Sequence, residues 1–238
     1  MAEIMLSNQG MHGLGLIASE NRTVRRNRRV PIATAIAGLV WLAVIVTATF
    51  LMFAYAATPG DGGAPPAVWP SASHVARDSS KPTLVMFVHP RCPCSRASVG
   101  ELAVLMAHVQ GKAIVRVLFL HPAGTNPGWV ETSPWHEAAV IPGVAVQRDE
   151  DGAEASLFGM KTSGDSVLYA ADGRLLFHGG ITISRGHSGD NPGREALQAL
   201  LQNQPAQLAQ TPAFGCALFA PGTSTAAPIA CRVEHSEP

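Results

Sequence analysis

Charge is scarce in this chain. Only 14% of its 238 residues are Asp, Glu, Lys or Arg, against about 25% in an ordinary soluble protein. Hydrophobic residues make up 47%. That balance excludes a chain kept disordered by high charge and a shortage of apolar side chains. Neither sign is in excess, with 17 basic and 17 acidic residues, so a globally basic nucleic-acid binder is excluded. Cysteine is sparse too: four residues do not staple a disulfide-rich miniature scaffold. Gly-x-Ser-x-Gly does not occur, which removes support for a hydrolase nucleophile elbow. No glycine-rich phosphate loop and no internal repeat stand out. The length leaves room for one ordinary domain of roughly 100–150 residues and something more.

The charge that is present is unevenly placed. Arg22, Arg25, Arg26, Arg28 and Arg29 cluster, and the next charged residue is Asp61. Between them Pro31 to Ala57 is apolar throughout, long enough for the roughly 20 residues that a bilayer core requires. We expect a transmembrane helix over 30–57, in contact with the lipid bilayer. Trp41 lies in mid-segment, and Phe53 and Tyr55 sit near the far end, where an interfacial aromatic belt forms. The arginines predict a cytoplasmic leader over 1–29, with Met5 and Met11 as alternative starts, and an exported C-terminal part. The expected location is therefore the inner (cytoplasmic) membrane, crossed once, with a periplasmic or otherwise extracytoplasmic domain. Ala54-Tyr55-Ala56 resembles a signal-peptidase site, so cleavage near Ala56 is the rival. The run is longer than the usual 7–15-residue core of a signal peptide, which favours an uncleaved anchor.

Residues 58–80 are rich in Gly, Pro, Ala and Ser and read as a linker holding a domain off the membrane. From Lys81 the pattern tightens. PTLVMFVH (82–89) and AIVRVLFLH (113–121) read as buried strands, and VAVQRD (144–149) as a third. Apolar residues recur at helical spacing from Ser95 to Val109. Ser133-Pro134 reads as a helix N-cap with proline behind it. A short helix is expected over 152–159. A hairpin over 166–180 turns at Asp172-Gly173, and a last helix begins at Asp190-Asn191-Pro192, with Asp190 as its cap. Strands alternating with helices and closing with a hairpin predict an α/β fold: a mixed central sheet with flanking helices, over 81–204. Residues 205–238 read as a loop-rich tail.

The strongest chemical signal is FVHPRCPCSRAS (87–98). It puts Cys92 and Cys94 at the start of a helix, where free N–H groups and the helix dipole favour a thiolate. Arg91 and Arg96 push the same way. A disulfide between Cys92 and Cys94 closes a very small ring, so it is strained and readily reduced. Alternatively Cys92 attacks alone, and Cys94 or Cys216 resolves the mixed disulfide. Cys216 and Cys231 have a second reading, as a structural disulfide stapling the tail. A metal reading also stays open: His89, Cys92, Cys94 and His121 combine imidazoles and soft thiolates suited to Cu(I) or Zn. His178 and His187 read as surface or otherwise satisfied residues. The polar run Arg185–Asn191 reads as a loop, with contact to a partner near the cysteines as the alternative.

Strand, loop, cysteine pair and helix resemble the active-site element of the thioredoxin superfamily. The stretch from Asp149 through 180 resembles the membrane-anchored TlpA/ResA-type branch, with Gly159-Met160 and the turn glycine Gly173 at matching places. CPCS, RGHSGDNPGRE and TPAFGC are similar to RedB-type proteins of that group. The resemblance covers roughly 80–220. It implies a thioredoxin-like domain behind one transmembrane helix, with thiol–disulfide chemistry on exported proteins and a thiol or disulfide electron partner. It implies no required cofactor. Cys92 takes the place of the attacking cysteine, Ser95 that of the second cysteine, and Gly164 that of the cis-proline that helps seat the partner chain. Ser95 is expected to cap the helix and to hydrogen-bond a thiolate. The departures at Ser95 and Gly164 leave a catalytically degenerate, partner-binding domain as a further alternative.

Overall fold

A computed structural model describes residues 31–219. The chain separates into two compact units, Met1–Ile45 and Val46–Pro238. The break falls within the first helix, α1 (Ile32–Ala57). α1 is 26 residues long with a mean hydropathy of 2.4 over its most apolar window, long and apolar enough to cross a membrane. It buries none of its side chains.

The second unit is built on one five-stranded sheet, ordered β3-β2-β1-β4-β5. β1 (Thr83–Val88), β2 (Ile114–His121) and β3 (Val144–Glu150) run parallel; β4 (Asp165–Tyr169) and β5 (Leu175–Gly180) complete it antiparallel. Parallel neighbours need crossovers. These are α2 (Ser95–Val109) between β1 and β2, and α3 (Ser133–Ala139) between β2 and β3. α4 (Ala153–Leu157) leads into the β4–β5 hairpin, and α5 (Pro192–Leu201) follows it. This is the mixed α/β sheet with flanking helices that the sequence predicts. Two caps differ from expectation. Thr132, not Ser133, precedes α3. Asn191, not Asp190, caps α5, its side chain accepting the Arg194 N–H, while Asp190 pairs with the Arg194 guanidinium.

β1 is buried at every residue, so its alternating side chains load both faces of the sheet. Leu84, Met86 and Val88 pack on one face with Leu102, Leu105, Ala138 and Leu197, drawn from α2, α3 and α5. Val85 and Phe87 pack on the other with Val167, Tyr169, Phe158 and Met160. On that second face α4 is five residues long, too short to cover it. Two segments expected to be loose do so instead.

The first is 58–80. Trp69 meets Phe158 and Tyr169 edge-on, at centroid separations of 5.0 and 5.3 Å. Val75 is buried. The Tyr169 hydroxyl donates to the Pro66 carbonyl, and Ala64 N–H donates to Gly159 O. This stretch is therefore a packed strap rather than a flexible linker: its Pro and Gly composition signals loop geometry, while Trp69 and Val75 supply the apolar cover. The second is the described part of the tail. Gly60 N–H donates to Ala213 O, Leu218 N–H donates to Lys161 O, and Leu218 is buried in the second core. The remainder of the tail, Cys231 included, lies outside the described residues.

Phe158 is fully buried at the centre of this aromatic group. Phe158→Ala is expected to destabilise the domain by about 3–5 kcal/mol, read by urea unfolding. Asp165 is buried beneath the strap, and loss of water pushes its carboxyl up to about 7, even though Ser166 and Gly63 N–H groups favour the charged form. Its pKa in the fold lies above that of the unfolded chain. Its contribution to stability is therefore fully present below about pH 4 and is lost as pH rises through about 7. Asp165→Asn is expected to raise the melting temperature at pH 8, with the difference shrinking towards pH 5 in a thermal-unfolding series.

Candidate functional site

The cysteine loop begins where β1 leaves the sheet. Cys92 N–H donates to His89 O, and Ser95 N–H donates to Cys92 O, so the chain is already turning when α2 starts. Cys94 is the N-cap of α2, and its carbonyl accepts from Ala97 N–H. A relay of small hydroxyls fixes the turn from below. His89 N–H donates to Ser163 Oγ (2.8 Å), Ser163 and Ser95 share a hydrogen bond (3.0 Å), and Ser95 Oγ donates to His89 O (3.0 Å). Ser95 is thus the first residue of the helix rather than its cap. Its hydroxyl is spent on the loop backbone, not on a thiolate, because helix entry turns it inward, where it is buried.

Cys92 is 2% exposed, while Cys94 and Cys216 are half-buried. The thiols of Cys216 and Cys94 both reach the Cys92 sulfur, and the Cys216 N–H donates to it at 3.4 Å. Hydrogen bonds from Cys216, then from Cys94, hold Cys92 far below the usual thiol range, although burial opposes this. Cys94 moves the opposite way. It gives its hydrogen bond to Cys92, is partly buried and feels the Cys92 charge, so its thiol is pushed up; the Arg185 guanidinium works against that rise. The hydrogen bonds thus favour the charged form at Cys92 and the neutral form at Cys94.

The tail reaches this point by pairing with the segment before β4. Thr162 and Ala217 form an antiparallel bridge, and Ser163 N–H donates to Cys216 O (2.8 Å). Gly215 lets the two backbones meet: a Cβ there would stand 1.9 Å from the Ser163 carbonyl oxygen. Arg185 ties the arrangement together. Its guanidinium donates to the Gly215 and Thr58 carbonyls, lies 4.8 Å from the Tyr55 ring centroid and bonds the Cys94 thiol. Gly164, in the place where the resemblance puts a cis-proline, has φ +86° and donates its N–H to Phe87 O (2.7 Å). Proline has neither that conformation nor that donor.

Other expected site residues go elsewhere. His121 ends β2, but its ring binds Glu150 (2.6 Å) and the Asn126 carbonyl (3.3 Å). His89 is buried, with Nδ1 accepting the Arg91 N–H and its ring against Trp129. Among the described residues no three His, Cys, Asp or Glu side chains form a group able to hold a metal ion, so His89, Cys92, Cys94 and His121 do not assemble as one. Arg91 lies over Trp129, and Arg96 pairs with Glu137, so neither guanidinium is directed at the sulfur. The polar run 185–191 is held by buried Glu101, which accepts from Gly189 N–H, Asn191 and Arg194. Two residues of the site are not among the expected site residues, Arg185 and Ser163. The arginine that opens the polar run 185–191 and a serine two residues before β4 join the site only once the tail is docked.

No family model matches the chain, and no curated protein does. Solved structures do. A hypothetical protein of Sinorhizobium meliloti superposes with a TM-score of 0.52 at 22% identity, covering 67% of this chain and 96% of its own. An uncharacterized conserved protein of Geobacillus kaustophilus gives 0.50 at 22%, covering 70% and 95%. An exposed lipoprotein thioredoxin of Streptococcus pneumoniae gives 0.39 at 14%, covering 52% and 86%. The likeness to the first two is one of fold, the mixed sheet with flanking helices expected from the sequence.

The arrangement has a spectroscopic signature. Titrating the reduced protein by thiolate ultraviolet absorbance is expected to show one thiolate persisting well below the range in which an ordinary cysteine ionises. Cys92→Ser removes that signal. Arg185→Met retains it, while the Cys94 thiol, freed of the opposing cation, is pushed up further.

Proposed function

We propose that this chain is a membrane-anchored thiol–disulfide oxidoreductase of exported proteins, with Cys92 as its nucleophile. The observation that carries this proposal is the convergence of two neighbouring thiols and one backbone N–H on the buried Cys92 sulfur, an arrangement that favours its thiolate. Thiolate is the attacking form in disulfide exchange. The loop that holds it, braced by Ser95 and Ser163, keeps the sulfur in one place. The apolar helix and the arginines before it support an anchor with the domain on the exported side, where disulfides persist.

In the reaction, the Cys92 thiolate attacks one sulfur of a partner disulfide. The partner S–S bond breaks and a Cys92–partner bond forms. The other partner sulfur leaves as a thiolate and takes up a proton. A second thiol of this chain then displaces the partner from Cys92, leaving an internal disulfide, and the partner has gained two electrons and two protons. A dithiol protein resets the site by the reverse exchange. The direction of net flow follows from which partner is present.

The test is disulfide exchange by the full-length chain in detergent micelles. Reduced protein is expected to reduce a disulfide-bonded peptide at a rate nearly independent of pH from about 5 to 8, whereas an unperturbed thiol loses about tenfold per pH unit below 8.5. Cys92→Ser abolishes the exchange. Full activity in Cys92→Ser removes the assignment, and an inactive parent that still captures exported proteins favours the partner-binding alternative.

A further inference from the structure

Cys92 presents a difficulty that its thiolate character does not solve. A nucleophile must touch its target, yet this sulfur is 2% exposed. Cys94 does not replace it, since its thiol is half-buried and is held protonated by the charge beside it. What covers Cys92 is in part the tail, whose Cys216 N–H rests on the sulfur.

The covering segment has no regular structure of its own and is held by its backbone through one isolated bridge. Ala217 bridges Thr162 antiparallel, Ser163 N–H donates to Cys216 O (2.8 Å), and Leu218 N–H donates to Lys161 O (2.7 Å). Gly215 allows contact between backbones, and Arg185 holds the Gly215 carbonyl. Backbone pairing of this kind does not depend on side-chain identity, so any extended polypeptide can make it. The segment delivers a cysteine, 124 positions away in sequence, to the attacking sulfur. An external chain carrying a disulfide would have to sit in the same way.

We propose that Cys216 is the thiol that resolves disulfides formed at Cys92, and that Gly215–Leu218 occupies the edge on which an extended, cysteine-bearing partner segment docks. This inference rests on the oxidoreductase function proposed above. The segment leaves Lys161–Ser163, the partner strand takes its place, and the Cys92 thiolate attacks the partner disulfide. The segment then returns. Its Cys216 thiol gives up a proton to the departing partner sulfur and attacks the Cys92 sulfur. The Cys92–partner bond breaks, the Cys92–Cys216 bond forms, and renewed pairing with 161–163 expels the partner strand. Cys94 shares one turn with Cys92, and a bond between them closes a strained ring. Cys216 stands on a separate segment and adjusts without bending the helix start.

The experiment follows the fate of one adduct. Full-length protein in detergent micelles is reduced, exposed to oxidised glutathione, and its linkages are mapped by peptide mass spectrometry. The parent and Cys94→Ser are expected to yield a Cys92–Cys216 crosslink. Cys216→Ser and Cys216→Ala are expected to lose it and to retain glutathione on Cys92. A Cys92–Cys94 or Cys216–Cys231 crosslink in the parent, or prompt loss of the adduct in Cys216→Ser, overturns the inference and leaves Cys92 as nucleophile. No adduct at Cys92 even in the Cys94→Ser, Cys216→Ser double variant overturns the oxidoreductase function itself. Leu218→Ala and Gly215→Val loosen the segment in two different ways. In whichever retains its circular dichroism spectrum, alkylation of Cys92 is expected to be faster than in the parent; an unchanged rate shows that the segment does not gate the sulfur.

Discussion

The architecture depends on one constraint: the central strand β1 is apolar on both faces, and both must be kept from water. Its six residues are buried without exception. On one side three helices meet the demand. On the other, α4 is too short, and the strap through Trp69 and Val75, with Leu218 of the tail, completes the cover. Burial of this kind is worth roughly 25 cal/mol per Å² of apolar surface, enough to hold segments that have no regular structure of their own. The location of the chemistry follows. The tail that comes to shield Val85 and Phe87 passes the end of β1, and Cys216 arrives at Cys92 as part of that path.

The electrostatics of the site are those of neighbours rather than of distant charge. The Cys92 thiolate is held by hydrogen bonds from Cys216 and Cys94. Arg91 and Arg96, adjacent in sequence, are turned onto Trp129 and Glu137. Arg185, 93 positions beyond Cys92, is the cation that bonds a site thiol. Hydrogen bonds in a buried setting are stronger than in water because the local dielectric is low. A sulfur with few solvent contacts is therefore governed by whichever donors the fold brings within reach. Ser163 works at one remove, fixing the His89 backbone and, through Ser95, the turn that presents the thiol.

Much of the scaffold is legible before any coordinates. The runs at 82–89 and 113–121 are buried strands because their β-rich apolar stretches can be satisfied only between layers, and 144–149 is the half-buried strand at the sheet edge. The Asp172-Gly173 turn marks the hairpin, and Gly173 has a φ of +90°. The 58–80 region misleads because composition reports loop geometry, while packing turns on two apolar side chains in an otherwise small-residue stretch. Ser95 is placed correctly at the helix start but faces the loop backbone rather than the sulfur. Gly164 departs from the cis-proline pattern because its N–H is needed by Phe87 and its φ lies outside proline's range.

An apolar helix behind an arginine cluster, a mixed sheet, and a cysteine pair at a helix start are all written in local patterns of charge, periodicity and spacing, within a few turns of chain. Long-range packing makes the 58–80 stretch a strap, seats Cys216 rather than a neighbouring arginine on Cys92, and joins tail and site through Arg185. Those contacts join residues far apart in sequence. They exist because a five-residue helix leaves one face of the sheet uncovered, and nothing local in the chain records that deficit.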